Sequence, residues 1–345
     1  MNDGKPALHQ ELEAHLNVFI ADPANAMLPS ERELIARFGV SRTTVRRAIQ
    51  TLIQAGRVRP AHGKGNLIER GAPRRTGNIL LLLREESERY QLEAFEALLG
   101  ALSDAGLHAL SVIVRDGESP TEKVAAALGE VDGVVLADWL SENRELRELL
   151  TTSGKRSAVL RHQPVTFPYD YAAEDKVEAF RLLAAHLAAL GHRHVAFVSN
   201  RHDAGRLEGA RRGLAEAGLE LDPELVFDSM GRTPDGFKSA GRLLESGRPF
   251  TAVIAQNDEC ALGVMQRLML AGIRVPEDVS LTGYDNLRES AHYPAPLTTC
   301  AGDLRRLCGQ VVDFIASPFP QASLKSLVKP VLHVRASTSA VKRFG

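Results

Sequence analysis

From residue 79 to residue 283, short apolar runs alternate with longer stretches of helical period, and this alternation narrows the fold more than any other feature of the chain. The runs are ILLLL (79–83), ALSVIV (109–114), GVVLA (133–137), SAVL (157–160), HVAFVS (194–199), TAVIA (251–255) and VSLTG (279–283). Between them, residues 88–105, 174–190, 205–217, 234–246 and 258–271 read as amphipathic helices. Continuous β-branched and Leu-rich runs suit strands covered on both faces, so the expectation is an α/β fold with a parallel sheet flanked by helices. Seven such runs favour two sheets side by side over one.

A different pattern precedes them. Leu8, Leu12, Leu16 and Phe19 or Ile20 recur at helical spacing up to Asp22-Pro23. Ser30 followed by Glu33 is a capping box that starts a second helix, with Leu34, Ile35 and Phe38 as its buried stripe and Gly39 as its end. Ser41 caps a third helix, whose apolar face is Val45, Ala48, Ile49, Leu52 and Ile53, closed by Gly56. Arg57-Val58-Arg59 and Asn66-Leu67-Ile68 then flank a turn-forming segment, Pro60 to Gly65, which predicts a two-stranded wing. Residues 28–75 hold eleven Arg or Lys against three acids, whereas the whole chain has a net charge of -1. A basic module is therefore joined to an acidic one, and only the first should be drawn to a polyanion.

The polar face of the third helix fits the major groove of a DNA duplex. Arg42, Thr43, Arg46 and Arg47 are the candidates for base or near-base contact, since Arg pairs bidentately with guanine O6 and N7. Arg32, Ser41 and Thr44 suit phosphate oxygens, and His62, Gly63 and Lys64 would bring the wing tip to a groove. A basic face alone is usually just solvated. Here two capped helices, an apolar stripe and a Gly-Lys-Gly wing coincide.

The stretch LPSERELIARFGVSRTTVRRAIQTLIQAGRV, with the wing HGKGN, resembles the winged helix-turn-helix domain of the GntR family of bacterial transcription regulators. The resemblance covers residues 7–70. It implies DNA contact at Arg32, Ser41, Arg42, Thr43, Thr44, Arg46, His62 and Gly63. Domain boundaries are expected at 1–70 for this head, 71–76 for a linker, and 77–345 for the remainder; ERGAPRRT (69–76) has linker composition.

In a parallel α/β fold, ligands bind beyond the carboxyl ends of the strands. Those positions hold Arg84 and Glu85, Asp138 and Trp139, Arg206, Asn257 and Asp258, and Tyr284, Asp285 and Asn286. Carboxylates and amides for hydroxyls, an Arg fork and aromatic rings suit a polyhydroxylated small molecule. Four stretches, LGHRHVAFVSN, GRLEGARRGLAEAGL, PFTAVIAQNDECALGVMQRLMLAGIRVPEDVSLTGYDN and AHYPAPLTTC, resemble the effector domain of the LacI/GalR family, itself similar to periplasmic sugar-binding proteins. The resemblance implies a two-lobed, periplasmic-binding-protein-like parallel-sheet sensor. It also implies that Arg206 grips the effector, that Asp285 reaches it, that Asn257 stands in the pocket, and that Tyr90 lies where some members place a ring on the ligand. Trp139 is a candidate by loop position, and Glu174 with Asp175 stands in a ligand loop whose sequence, AEDKVEA, departs from the family pattern.

Together the two resemblances imply a transcription regulator, expected to be a repressor, that binds a pseudo-palindromic operator in double-stranded DNA as a homodimer and answers to a small effector. A sugar is the first expectation and a nucleoside or purine the second. The rival class is an enzyme or binding protein with a cationic arm, but neither a G-x-S-x-G elbow nor a G-x-x-x-x-G-K-[ST] loop occurs. His192 and His194 lack a third ligand, so neither metal nor cofactor is expected. The three cysteines have neither zinc nor redox spacing, the N-terminus lacks the pattern of a secretory signal, and no apolar run reaches the ~20 residues that span a bilayer. A cytoplasmic protein is expected.

Overall fold

The computed structural model of the chain describes residues 8–22, 24–54, 56–61, 65–68, 76–85, 89–161, 168–200, 203–317 and 323–341. The N-terminal head consists of α1 (Leu8–Ala21), α2 (Glu31–Phe38), α3 (Arg42–Gln54), β1 (Val58–Ala61) and β2 (Gly65–Ile68). Its punctuation follows the sequence. Ser30 N–H donates to Glu33 Oε2 at 2.8 Å and Glu33 N–H to Ser30 Oγ at 3.3 Å, so both halves of the capping box form. Gly39 ends α2 at φ 64 and donates its N–H to Ile35 O. Ser41 Oγ then accepts the N–H of Thr44 at 3.1 Å, starting α3. Leu12, Leu16, Ile20, Leu34, Val45, Ala48, Ile49, Leu52, Val58 and Ile68 form one buried cluster, which welds the three helices to the wing. The wing is antiparallel, pairing Val58 with Ile68 and Ala61 with Gly65.

Beyond the head lie two six-stranded sheets. The first has the order β13-β7-β6-β5-β3-β4, made of β3 (Asn78–Arg84), β4 (His108–Val114), β5 (Gly133–Leu136), β6 (Arg156–Leu160), β7 (Asp170–Glu174) and β13 (Lys325–Val328). The second has the order β14-β12-β11-β10-β8-β9, made of β8 (Val195–Val198), β9 (Val226–Phe227), β10 (Ala252–Ala255), β11 (Ser280–Tyr284), β12 (Thr298–Ala301) and β14 (Val331–His333). In the second sheet only the β12–β14 pair is antiparallel. Two sheets with helices between strands were expected, and the seven apolar runs became β3, β4, β5, β6, β8, β10 and β11. The other five strands were missed.

The chain divides into two compact units, Met1–Leu82 with Leu107–Val134 and Asn143–Ser157, and Leu83–Gly106 with Val135–Glu142 and Ala158–Gly345. In the first unit, α5 (Pro120–Ala127) and α6 (Arg144–Ser153) bury Val124, Leu146 and Leu150. There the Asp132 carboxylate accepts the N–H groups of Thr76 and Gly77 at 2.9 Å each.

The second unit holds α4 (Arg89–Asp104), α7 (Lys176–Ala189), α8 (Ala204–Ala215), α9 (Thr233–Glu245), α10 (Asp258–Leu270) and α11 (Leu304–Ala316). Period-2 alternation splits its central strands cleanly. Ala196, Val198, Val253, Ala255 and Leu281 pack with α9 and α10, whereas Val195, Phe197, Ala252 and Ile254 pack with α7 and α8. Each helix pair is drawn together by glycine. A Cβ on Gly213 of α8 would stand 2.2 Å from Arg181 O of α7, and one on Gly263 of α10 would stand 1.9 Å from Thr233 O of α9.

Candidate functional site

On the head, Arg32, Ser41, Arg42, Thr43, Arg46 and Arg47 are exposed and Thr44 is half-buried. The Ser41 hydroxyl is engaged as the cap of α3 and lies 2.8 Å from Thr44 Oγ1. Arg42 and Arg46, one turn apart, converge on Glu31, whose two carboxylate oxygens lie 3.0 Å from Arg42 Nε and 3.0 Å from Arg46 Nε. Hydrogen bonds from Arg42 and then Arg46 hold this carboxyl below its ordinary range. Reading the sequence for cations alone missed Glu31. The wing-tip candidates His62, Gly63 and Lys64 lie outside the described residues.

In the second unit, carboxyl ends of strands and starts of helices surround a cavity of about 440 Å³, within the size range of small-molecule sites. Seven of the positions singled out in the sequence line it: Arg84, Tyr90, Trp139, Arg206, Asn257, Tyr284 and Asp285. Arg206 stands in the first turn of α8 rather than in the preceding loop. Asp203 caps that helix by accepting the N–H of Arg206 at 3.1 Å, and also pairs with the Arg206 guanidinium. Arg206 lies 5.7 Å from the Phe180 ring and 5.8 Å from the Tyr284 ring, with its Nε buried and without a hydrogen-bond partner. Burial would raise the Asp203 carboxyl, but Arg206, Lys176 and two backbone N–H groups outweigh it and hold it below its ordinary value.

The sequence reading passed over Arg161, which organises the opposite wall. It follows β6 in left-handed backbone at φ 66, and its Nη2 lies 2.9 Å from Asp285 Oδ1 and 3.1 Å from Glu174 Oε1. All three side chains are nearly buried, at 9%, 5% and 1% exposure for Arg161, Asp285 and Glu174. Asp285 is left-handed as well, at φ 107. Its carboxyl is pushed up to about 6 by burial, with Arg161 pulling the other way. For Arg161, burial opposes the charge, and Glu174 with Asp285 overcomes that to keep the guanidinium protonated.

Two further candidates are placed differently from the expectation. Glu174 is not a loop residue on the wall; it closes β7, accepts the hydroxyl of Tyr284, and sits behind Arg161. A strand end with Gly302 packed on it leaves room for that carboxylate, since a Cβ on Gly302 would meet Glu174 Cγ at 2.7 Å. Asp175 caps α7, accepting the N–H of Glu178 at 3.0 Å. Asn257 combines two roles, because it caps α10 through Oδ1, 2.8 Å from Cys260 N, while also facing the cavity.

Each of the three lining rings has a cation near it, Arg206 in the case of Tyr284. The Arg84 guanidinium lies 4.7 Å from the Trp139 ring and Arg161 lies 4.8 Å from the Tyr90 ring. Deeper in, Asp258 accepts Thr299 Oγ1 at 2.6 Å and Leu287 N at 2.8 Å, and burial pushes its carboxyl up to about 8. His192 is structural, bonded at 2.9 Å to Thr251 Oγ1 and at 3.0 Å to Ser339 O. Burial raises the Cys260 thiol to about 11, which suits packing rather than nucleophilic chemistry.

Known proteins share both halves. Residues 9–68 match the bacterial regulatory proteins of the gntR family, and residues 184–338 match the periplasmic binding protein-like domain. This is a transcription regulator with a gntR-family head and a periplasmic binding protein-like domain. The regulator is 26% identical over 277 residues to the HTH-type transcriptional regulator DegA of Bacillus subtilis, covering 77% of this chain and 82% of that one. It is 32% identical over 183 residues to the HTH-type transcriptional repressor PurR of Vibrio atlanticus, covering 51% of this chain and 54% of that repressor, so it spans about half the length of the latter. The fold is shared with a complex of the transcriptional regulator CelR with cellobiose (TM-score 0.69, 24% identity, 96% of this chain and 100% of that one). A LacI-family regulator from Enterococcus faecium with bound ribose shares it too (TM-score 0.68, 24% identity, 77% of this chain and 100% of that one). No helix among the regulator's described residues is long and apolar enough to cross a membrane.

Proposed function

We propose that this regulator is a cytoplasmic repressor that binds a pseudo-palindromic operator as a homodimer and is controlled by a sugar held in the cavity. The observation that carries the effector half is the convergence of Arg206, Asp285, Asn257, Trp139 and Tyr90 on one cavity. Its walls are rich in hydroxyl-binding groups and hold three rings, the make-up of a carbohydrate site. Ribose and cellobiose in proteins of this fold support the same class. On the head, Arg42, Thr43, Arg46 and Arg47 read bases, Arg32, Ser41 and Thr44 hold phosphates, and the wing residues His62, Gly63 and Lys64 approach a groove. The head extends over residues 1–70, the linker over 71–76 and the sensor over 77–345. Effector binding changes the spacing of two heads in the dimer, and operator affinity with it. The chain thus acts by binding, without catalysis.

The test pairs two titrations. A duplex selected by the full-length protein from a randomised library serves as operator, and a panel of pentoses, hexoses, disaccharides and nucleosides is titrated into the complex by mobility shift and calorimetry. Arg206→Ala is expected to weaken sugar binding by ~10- to 100-fold, the range for hydrogen bonds to a charged group, while operator affinity changes little. Equal loss of both would make Arg206 structural. Response to nucleosides alone would replace the sugar reading.

A further inference from the structure

The acid between the two base-reading arginines calls for an explanation. A carboxylate on a face that meets phosphates lowers affinity for DNA, so Glu31 works against the head's general electrostatics. Fold maintenance does not account for it. The start of α2 is already secured by the Ser30–Glu33 box, and exposed ion pairs contribute little to stability. Geometry does account for it. Glu31 is the first residue of α2 and faces the first turn of α3, where it receives Nε–H of Arg42 on one oxygen and Nε–H of Arg46 on the other. Arg42 and Arg46 remain 67% and 61% exposed, against 32% for Glu31. Anchoring a guanidinium at Nε leaves its two terminal nitrogens as the fork, which is the part that matches guanine O6 and N7. Long side chains otherwise lose rotamer freedom when they dock.

We propose that Glu31 is a positioning residue that sets the head's sequence preference by holding Arg42 and Arg46 together. It trades affinity for any duplex against discrimination between duplexes. This rests on the reading of α3 as the DNA-recognition helix.

The experiment uses the full-length protein and its Glu31→Gln variant on two probes, a library of duplexes randomised over ~20 bp, which is about two turns of groove, and mixed-sequence duplex DNA over a salt series. Glu31→Gln is expected to bind mixed-sequence DNA ~2- to 5-fold more tightly and to steepen the salt slope by up to ~1, as one phosphate contact is gained. Base preference should fall ~3- to 10-fold at the positions that Arg42→Lys and Arg46→Lys also weaken, a share of the discrimination of a bidentate pair. The melting temperature should not move. An unchanged motif of unchanged strength overturns the proposal, as does equal weakening on both probes, which would mark a structural role. Loss confined to a base pair that neither Lys variant affects overturns it too, by making Glu31 itself a base contact. Should the wild-type protein enrich no sequence, the recognition-helix reading falls and the role of Glu31 falls with it, an outcome told apart from the others by the wild-type result alone.

Discussion

Arg161→Met removes the countercharge of two buried carboxylates while keeping an unbranched, flexible apolar stem. Arg161 Nη2 serves Asp285 at 2.9 Å and Glu174 at 3.1 Å, and neither carboxylate is more than 5% exposed. Breaking a buried pair from one side costs ~3–5 kcal/mol, because the charge left behind is uncompensated. The protein can escape part of that cost by taking up protons. Asp285 titrates at about 6 with Arg161 beside it, well above its ordinary value, and loss of the guanidinium moves it higher. An acid with a raised folded-state pKa binds a proton in the native state that the unfolded chain releases, so its stabilisation is fully present at low pH and is lost as pH rises through the folded value. Protonation of Asp285 recovers ~1.4 kcal/mol per pH unit within that window. The variant should therefore be ~3–5 kcal/mol less stable at pH 8, and ~1–3 kcal/mol of that should return by pH 5.5. Urea denaturation followed by fluorescence of Trp139, the sole tryptophan, measures both values. A penalty below ~1 kcal/mol at pH 8, or an equal penalty at both pH values, would refute the buried-triad account.

Asp258→Asn should flatten the pH dependence of stability between about pH 4 and the value of about 8 to which burial raises Asp258, and should make the protein more stable than wild type at pH 8. An Asn can still accept from Leu287 N and donate to Thr299 Oγ1, so little is lost at pH 5; denaturation curves across that range would show an unchanged slope if the reasoning fails. Gly213→Ala should cost ~1–3 kcal/mol by overpacking, since its Cβ starts 2.2 Å from a backbone oxygen of α7 and 2.8 Å from Ala184 Cβ. Because α7 and α8 carry Lys176 and Arg206 into the cavity, calorimetry with the proposed sugar effector should find binding weakened as well. Wild-type melting and affinity in this variant would mean that the helices separate freely.

Most of the fold was written in local signals. The head is built from caps and a stripe at helical spacing, and both survive in Ser30, Glu33, Gly39, Ser41 and the cluster around Val45 and Leu52. The seven apolar runs became strands, most of them buried on both faces, though β4 buries only Val114. The missed strands lack a continuous apolar run, even where, as in β12, every position is buried. β12 is Thr-Thr-Cys-Ala, whose Thr298 hydroxyl accepts from the Arg335 backbone, while β9 has two residues and β13 begins with an exposed Lys. The cavity was legible where a residue sits at a strand or helix boundary, as Asn257 and Asp285 do. Arg161 was not legible, because its place depends on a left-handed turn and on partners 13 and 124 positions along the sequence, counting from 161 to 174 and 285. Glu174 was misplaced for a related reason. The residues Tyr-Ala-Ala-Glu look like a loop, but parallel pairing with β13, from a segment over 150 positions later, makes them a strand.

The walls of the cavity are already bonded to one another, Arg161 with Asp285 and Glu174, Arg206 and Lys176 with Asp203. A ligand arriving there exchanges partners rather than gaining them outright, so its net binding energy is a difference between two well-satisfied states. Such a site suits a gauge of abundance: it fills when the metabolite is plentiful and empties quickly when it is spent, and its threshold can be retuned by altering how tightly the walls hold themselves.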